Sequence, residues 1–249
     1  MGDTQRAVQP RWRGWLSRLG EPGKPLLAAS ARPWIGAVVA GCAVLVVVPG
    51  VLFAGQRRAD RFDHAVDAPI VAWFTGHERL ARWLVAPGSL YPAIVISAVI
   101  VAACLVAGRL NGALLSAAAV PVAEVFSEKL LKPLVDRTLL GGISYPSGHT
   151  TAIVALAAAL TVLLLGPLRW PRARLARLLI LAVAYAVVAG VALGLTGLRW
   201  HYFTDTVGGA AVGIGTACGL ALILDSRPVR RVLARGRERL TSPVDLNCT

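Results

Sequence analysis

The sequence predicts an all-α polytopic membrane protein: a helical bundle of about six transmembrane helices with short amphipathic helices on its outer side. Composition is the first observation, because 56% of the 249 residues are hydrophobic and 16% are charged. In soluble domains about a quarter of the residues are charged. The second observation is a set of apolar runs that can cross a hydrocarbon core of about 30 Å, which takes roughly 20 helical residues. These features exclude an ordinary soluble domain.

Five apolar runs are long and continuous enough to predict membrane spans. They lie near residues 35–54, 91–108, 148–167, 176–197 and 206–224. A sixth, weaker run covers about 110–128 and contains two acidic residues, Glu124 and Glu128. We count it as a span, because without it the charged loops would alternate wrongly between the two sides of the membrane. One membrane domain over residues 34–225 then contains all six helices.

Between the first two long runs, residues 56–90 mix aromatic and aliphatic side chains with charges. Their spacing predicts short amphipathic helices at the outer membrane interface. Such helices can wall a lateral entrance for a lipid headgroup, or they can simply anchor the chain at the interface through Trp and Arg. His64 and His77 lie in this segment. Since neither has a partner at helical spacing, we interpret both as surface residues.

The formal net charge of +13 is concentrated in particular loops, which favours a topological explanation over nucleic-acid binding. With six spans and both termini in the cytoplasm, 17 of the 26 Lys and Arg residues fall on the cytoplasmic side. The positive-inside rule selects this orientation. We therefore expect a multi-pass protein of the cell (plasma) membrane, with no nucleic-acid partner. Nothing in the sequence indicates the oligomeric state.

Two basic segments flank the predicted membrane domain. Residues 1–33 carry six Lys and Arg residues and are longer and more polar than the start of a signal peptide. We interpret them as a cytoplasmic tail ahead of an uncleaved anchor. Residues 226–249 are a second basic cytoplasmic tail, which either touches anionic membrane lipids or is simply solvated.

The last apolar run contains two pairs of glycines four residues apart, Gly209 with Gly213 and Gly215 with Gly219. Such small-residue seams predict close packing against neighbouring helices and need no further function. A structural membrane protein is therefore one alternative for the whole chain.

The first candidate for chemistry is Pro146-Ser147-Gly148-His149, which directly precedes an apolar run. Ser147 is a favourable N-cap for the helix that follows. Gly148 lets the backbone approach a ligand, and the amides at the helix start, with the positive end of the dipole, suit a phosphate. An ordinary Pro-Ser-Gly turn with a capping histidine is the alternative for this segment alone.

His201 and Asp205 form the second candidate, in the short connection before the last span. Four residues apart, they share a face in helical geometry. A carboxylate that accepts a hydrogen bond from one imidazole nitrogen leaves the other nitrogen unprotonated, as a nucleophilic or basic histidine requires. The pair is typical of an activated nucleophile, although a purely structural pair can have the same spacing.

Lys132 and Arg137 follow the third predicted span, and both can neutralise phosphate oxygens. Glu128 and Lys132 are also spaced as a helical i, i+4 ion pair, so a salt bridge at a helix end is the alternative. In the orientation chosen from the loop charges, all three candidate segments lie on the side away from the cytoplasm. Together they predict a phosphate-transfer site at the outer membrane edge.

These motifs resemble those of the phosphatidic acid phosphatase type 2 superfamily of membrane lipid-phosphate phosphatases, over roughly residues 90–224. The central Pro-Ser-Gly-His motif of that superfamily is present at 146–149, and the His-x-x-x-Asp end of its third motif matches His201 and Asp205. The resemblance implies a phosphatase that uses no catalytic metal or other cofactor and acts through a phosphohistidine.

The resemblance also implies a role for each matching residue. His201 would attack phosphorus while Asp205 orients it, and His149 would protonate the leaving oxygen. The groups that would stabilise the equatorial phosphate oxygens are Lys132, Ser147, the Gly148 amide and arginines. Because the two histidines need opposite protonation states at one pH, we expect a bell-shaped pH dependence of the rate.

Two arginines of the superfamily pattern are absent, and Leu139 and Leu195 stand at their positions. Arg137 lies two residues before the first of these positions, where many relatives carry a further arginine. Arg199 lies four residues after the second, which is about one helical turn and about 6 Å along the same face. We hypothesise that Arg137 and Arg199 replace the missing arginines in binding phosphate.

The expected partner is a lipid phosphate substrate. Polyprenyl pyrophosphates such as undecaprenyl pyrophosphate, phosphatidic acid and phosphatidylglycerol phosphate all suit the site, and the sequence does not separate them. The alternative is a non-hydrolytic transporter or binding protein for a phospholipid or polyprenyl phosphate. The spans argue against transport, because apart from Glu124 and Glu128 they carry almost no ionisable groups for a polar path across the bilayer.

Overall fold

The computed structural model describes residues 25–166 and 174–233. Most of the two predicted basic tails therefore lies outside the described residues. Within the described residues the chain is almost entirely helical, so the all-α prediction is confirmed. In chain order the helices are α1 (Arg32–Leu52), α2 (Arg61–Phe74), α3 (Glu78–Val85), α4 (Leu90–Val106), α5 (Leu110–Glu124), α6 (Lys132–Val135), α7 (Gly148–Leu165), α8 (Arg174–Gly197) and α9 (Phe203–Leu224).

Two smaller elements surround α6. A π-helical segment, Val125–Leu131, joins α5 to α6 without a break in the helical path. After α6, a short antiparallel hairpin pairs β1 (Thr138–Leu139) with β2 (Gly142–Ile143). The hairpin connects α6 to the start of α7.

Within the described residues, five helical stretches are long and apolar enough to cross a membrane. They are Ala29–Leu52, Leu110–Val135, Gly148–Leu165, Arg174–Gly197 and Phe203–Leu224. A sixth candidate is the pair Glu78–Gly88 and Leu90–Val106, which bend by 46° at their junction. The prediction of about six spans is confirmed, and the weak run at 110–128 belongs to a stretch of 26 helical residues.

The helix α7 forms the centre of the bundle, because 72% of its apolar window is buried, against 17% for α8 and for the stretch that contains α1. α9 packs along both α7 and α1, and α5 packs against α4 and α7. The buried side chains of α7 include Ala155, Ala158 and Ala159. Such small residues let helix backbones approach closely, which is the usual packing solution in a membrane.

The first predicted glycine seam lies in the contact between α9 and α7. A Cβ at Gly209 would overlap the carbonyl oxygen of Ser147, and a Cβ at Gly213 would lie 2.8 Å from the Thr151 carbonyl oxygen. In the second pair, Gly215 faces α1, with Cys42 Cβ 3.2 Å from the position of its Cβ, whereas Gly219 has no such neighbour within 4 Å. The close approach of α7 and α9 therefore depends on the first pair.

Replacing Gly213 by Ala is expected to lower the free energy of unfolding by about 1–3 kcal/mol, because the added methyl group forces two packed backbones apart. Gly219→Ala is the matched control, since the same change in the same helix meets open space. There the better helix propensity of Ala should leave stability unchanged or raise it by up to about 1 kcal/mol. Thermal unfolding of both variants in detergent measures the difference, and equal effects would contradict the packing explanation.

The segment between the first two spans forms the short helices α2 and α3, as the pattern of residues 56–90 predicts. α2 begins after Asp60, whose side chain accepts a hydrogen bond from the Asp63 amide at 2.7 Å, a standard N-cap arrangement. Both helices pack against α8. α2 also contacts α9, and this contact brings acidic side chains of α2 to the candidate site.

Chain direction explains why the candidate segments meet. α5 and α6 run toward one end of the bundle, α7 starts from that end, α8 returns to it, and α9 starts from it again. The residues after α5, the start of α7 and the connection from α8 to α9 therefore lie together and line one pocket.

Candidate active site

A polar pocket of about 330 Å³, which we call the histidine pocket, brings the three candidate segments together. His149, His201 and Lys132 all line it. Gly148 also faces this pocket, at the first residue of α7. Four of the residues selected from the sequence, on three separate segments, are thus neighbours in space.

Ser147 is the N-cap of α7, as predicted, and its hydroxyl oxygen accepts a hydrogen bond from the Thr150 amide at 3.4 Å. The Ser147 amide donates to the carbonyl oxygen of Asp205 at 3.0 Å. Ser147 is fully buried and is not among the residues that line the histidine pocket. In this structure it therefore joins the starts of α7 and α9 rather than presenting its hydroxyl to a ligand.

The hydrogen bond of His201 determines which ring nitrogen is available for chemistry. His201 Nδ1 lies 2.9 Å from the carbonyl oxygen of Ser144. Because a carbonyl oxygen can only accept, Nδ1 carries the proton and donates it. In the neutral ring Nε2 then holds the unshared pair, as a nucleophile requires.

Asp205 does not make the hydrogen bond to His201 that its spacing suggests, since its Oδ2 lies 3.8 Å from His201 Nδ1. The fully buried carboxylate instead accepts from Arg137 Nη1 at 2.6 Å and from the Tyr202 amide at 3.0 Å. The helical spacing argument fails because α9 begins at Phe203, so His201 lies before the helix. The Ser144 carbonyl, which the sequence does not single out, takes the expected role of Asp205.

Arg137 is completely buried and is held by two carboxylates. Its guanidinium donates to Asp205 and to Asp63, with the Asp63 contact at 2.5 Å. It also lies between two aromatic rings, 4.0 Å from the centroid of Phe53 and 4.3 Å from that of Tyr202. These contacts enclose the guanidinium away from the histidine pocket, so the geometry does not support direct phosphate binding by Arg137.

Two aspartates of α2, which sequence analysis did not select, hold the start of α9. Asp63 accepts hydrogen bonds from the Thr204 amide at 3.1 Å and from the Thr204 hydroxyl at 2.8 Å. Asp67 accepts from the Phe203 amide at 3.1 Å. Carboxylates are favourable at a helix N-terminus. The sequence did contain a signal for these two residues, because they are four residues apart in an amphipathic segment and so share a helix face. Their partner, the start of α9, lies far along the chain and could not be identified from this spacing.

Burial raises the pKa of Asp67 to about 6, and the hydrogen bond from the Phe203 amide opposes this shift. The negative charges of Asp63 and Asp205 raise it further. Asp67 is therefore ionised at neutral pH and loses its charge as the pH falls through about 6, which weakens its contact with the start of α9.

Arg199 lies outside the histidine pocket. The helix α8 ends at Gly197, and Arg199 has left-handed backbone geometry with φ of +56°. The shift of one helical turn along a shared face therefore does not apply to it. Arg199 is exposed and lines a second cavity, while Leu195, at the position of the missing arginine, is buried in the hydrophobic core.

The second cavity, of about 650 Å³, is mainly lined by apolar side chains of α2 and the hairpin, and we call it the apolar cavity. It shares His201 and Leu139 with the histidine pocket. His64, interpreted from sequence as a surface residue, is exposed and lines this cavity. A polar pocket and an apolar cavity therefore meet at His201.

Among the described residues, no group of three or more His, Cys, Asp or Glu side chains is arranged to hold a metal ion. The ionisable side chains of the histidine pocket are two imidazoles, one ammonium group and the carboxyl groups of Glu124 and Glu128. This set can transfer protons, attack an electrophile and bind an anion.

Comparison with known proteins identifies one family. The model of the PAP2 superfamily matches residues 121–228, a range that contains the histidine pocket residues Lys132, His149 and His201. No curated protein and no solved structure matches the chain. The matched range excludes α2, so Asp63 and Asp67 lie outside the part that the family model describes.

Proposed function

The chain belongs to the PAP2 superfamily, a membership that implies a phosphatase of phosphate esters, and from this premise we propose an integral membrane enzyme that hydrolyses a lipid phosphate or pyrophosphate. One observation carries the proposal: His201, with an unprotonated Nε2, shares a pocket with His149 and Lys132. This arrangement supplies a nucleophile, an acid and a cation around a volume that suits a phosphate group.

In the first proposed step the unshared pair of His201 Nε2 attacks phosphorus, so that an N–P bond forms while the P–O bond to the lipid breaks. The Nδ1–H group stays hydrogen-bonded to the Ser144 carbonyl and stabilises the positive charge that develops on the ring. His149 gives its proton to the departing oxygen and becomes neutral. The result is a phosphohistidine and a lipid alcohol, or a lipid monophosphate when the substrate is a pyrophosphate.

In the second step a water molecule attacks the phosphohistidine and the N–P bond breaks. The neutral His149 takes a proton from the water, and inorganic phosphate leaves. Because the cycle needs His201 unprotonated and His149 protonated, the rate should fall at both low and high pH. The histidines and water balance every proton in this scheme.

Lys132 and the amide of Gly148 are the groups proposed to bind the phosphate oxygens, since both residues line the histidine pocket and Gly148 begins α7. Ser147 and Arg137 are proposed to act outside the histidine pocket, where they hold the starts of α7 and α9 in position. Arg199 is exposed on the apolar cavity, where it is placed to meet an anionic headgroup. These roles revise the hypothesis that the two arginines bind the transferred phosphate.

The apolar cavity beside His201 supports an amphiphilic substrate. Polyprenyl pyrophosphate, phosphatidic acid and phosphatidylglycerol phosphate all combine a terminal phosphate with a long hydrocarbon chain. The loop charges support a cell membrane orientation in which both termini are cytoplasmic and the site faces the outer side.

Phosphate release by the purified protein, measured in the presence of a chelator with a panel of these three lipids, tests the proposal. We expect release with at least one lipid and a bell-shaped dependence on pH. A rate that rises steadily to high pH, or that is lost in chelator, would indicate hydroxide and a metal instead. Lipid binding without any phosphate release would favour a transporter or binding protein.

A further inference from the structure

Glu128 is an acidic residue inside a pocket that the proposed function assigns to an anion. It lines the histidine pocket together with Lys132 and Gly148. It lies on the π-helical segment Val125–Leu131, and π-helical turns are frequent at functional sites. The reaction proposed above uses no carboxylate in this pocket, so the presence of Glu128 needs its own explanation.

The carboxylate of Glu128 lies where a phosphate oxygen is expected. Its Oε1 is 2.7 Å from Lys132 Nζ. The same oxygen lies so close to Gly148 that a Cβ at that position would overlap it. Gly148 is the first residue of α7, where the helix dipole favours an anion. One oxygen of Glu128 therefore forms an ion pair with Lys132 and also lies against the Cα side of Gly148, the residue whose amide is proposed to bind phosphate.

We infer that Glu128 is an internal competitor of phosphate, which occupies the anion site of the empty enzyme and returns to it when the product leaves. This inference rests on the proposed function, because it concerns the same pocket. When a phosphate enters, Lys132 breaks its ion pair with Glu128 and binds the phosphate oxygens. When inorganic phosphate departs, the ion pair between Glu128 and Lys132 forms again. Glu128 therefore weakens the binding of the product and speeds its release.

The contact is weak enough for a ligand to break it. The Glu128 side chain is 36% exposed and that of Lys132 is 17% exposed, and ion pairs with this degree of exposure contribute little. The exposure also gives the Glu128 side chain room to turn away from Gly148. The competition therefore changes affinity by a modest factor and leaves the site usable.

Binding of inorganic phosphate to the purified full chain, measured by titration calorimetry at one pH and one salt concentration, tests the inference. In Glu128→Gln the amide keeps the size of the side chain but competes poorly for Lys132. We expect phosphate to bind about twofold to fivefold more tightly than in the wild type, which is the range that a weak ion pair allows. A gain in affinity cannot result from damage to the fold.

Glu124→Gln is the matched control. Glu124 lines the same pocket one helical turn earlier, and it lies farther from Gly148, with its Oε2 3.5 Å from the position of a Cβ there. Its substitution is the same change of Glu to Gln but leaves the ion pair between Glu128 and Lys132 in place, so the gain should be clearly smaller. Unchanged or weaker phosphate binding in Glu128→Gln would overturn the inference, as would an equal gain in both variants.

The experiment separates this inference from the proposed function, because it measures binding and needs no turnover. If the protein hydrolyses lipid phosphates but Glu128→Gln binds phosphate no more tightly, the inference fails alone. If the variant binds phosphate more tightly but no lipid is hydrolysed, the proposed phosphatase function fails and the competition stands.

Discussion

Substituting His201 by Ala is expected to lower the rate of phosphate release by about 1000-fold or more, because the variant lacks the nucleophile of the proposed mechanism. In the structure, the Ser144 carbonyl fixes the proton on Nδ1 and leaves the unshared pair on Nε2. The measurement is single-turnover phosphate release together with a test for labelled phosphohistidine, which should be present in the wild type and absent in the variant.

His77→Ala is the matched control for this prediction. His77 is exposed and lines neither the histidine pocket nor the apolar cavity. We expect this variant to retain phosphate release within about threefold of the wild type, since surface substitutions are usually mild. Substantial phosphate release by His201→Ala, with the fold intact, would exclude His201 as the nucleophile.

Replacing Arg137 by Met is expected to lower the free energy of unfolding by about 3–5 kcal/mol, because it leaves two buried carboxylates without their cation. Asp63 and Asp205 are both completely buried and both bind this guanidinium. The start of α9, which carries Asp205, should loosen, and phosphate release should fall with it. Thermal unfolding in detergent, followed in parallel with phosphate release, checks both effects.

Arg199→Met provides the comparison, because the same change is made at an exposed arginine beside the same connection. Its stability should stay within about 0.5 kcal/mol of the wild type. If the two substitutions were equally mild, the buried network would not be what holds α9 in place. If Arg137→Met kept full stability but lost phosphate affinity, the hypothesis of direct phosphate binding by Arg137 would regain support.

The fold was predictable because its signals are local. Each span is predicted from the hydrophobicity of about 20 consecutive residues. The N-cap at Ser147 depends on a hydrogen bond from a residue only three positions away. The catalytic candidates were also recognisable locally, since His149 and the His201/Asp205 pair each belong to a short motif. Chain direction through the predicted spans was then sufficient to bring those motifs to one end of the bundle.

The partners of the candidate residues were not predictable in the same way. Spacing suggested that Asp205 orients His201, yet the acceptor is a backbone carbonyl 57 residues away in the chain. The charge of Arg137 suggested that it binds phosphate, yet it forms an ion pair with Asp63, which is 74 residues away in the chain. Asp63 lies on α2, which the sequence predicted only as a helix at the membrane interface. A charge pattern shows that a cation needs an anion, but it does not show which one.

Local signals were enough to predict the membrane class, the spans and the candidate residues His149, His201 and Lys132, because each of these is contained in one short continuous stretch of the chain. The tautomer of His201, the burial of Arg137 and the position of Glu128 against Gly148 became evident only from the packing of the helices. Those properties depend on which helix ends lie next to each other. A buried charge needs an opposite charge as its partner, and the packing determines which one is close enough.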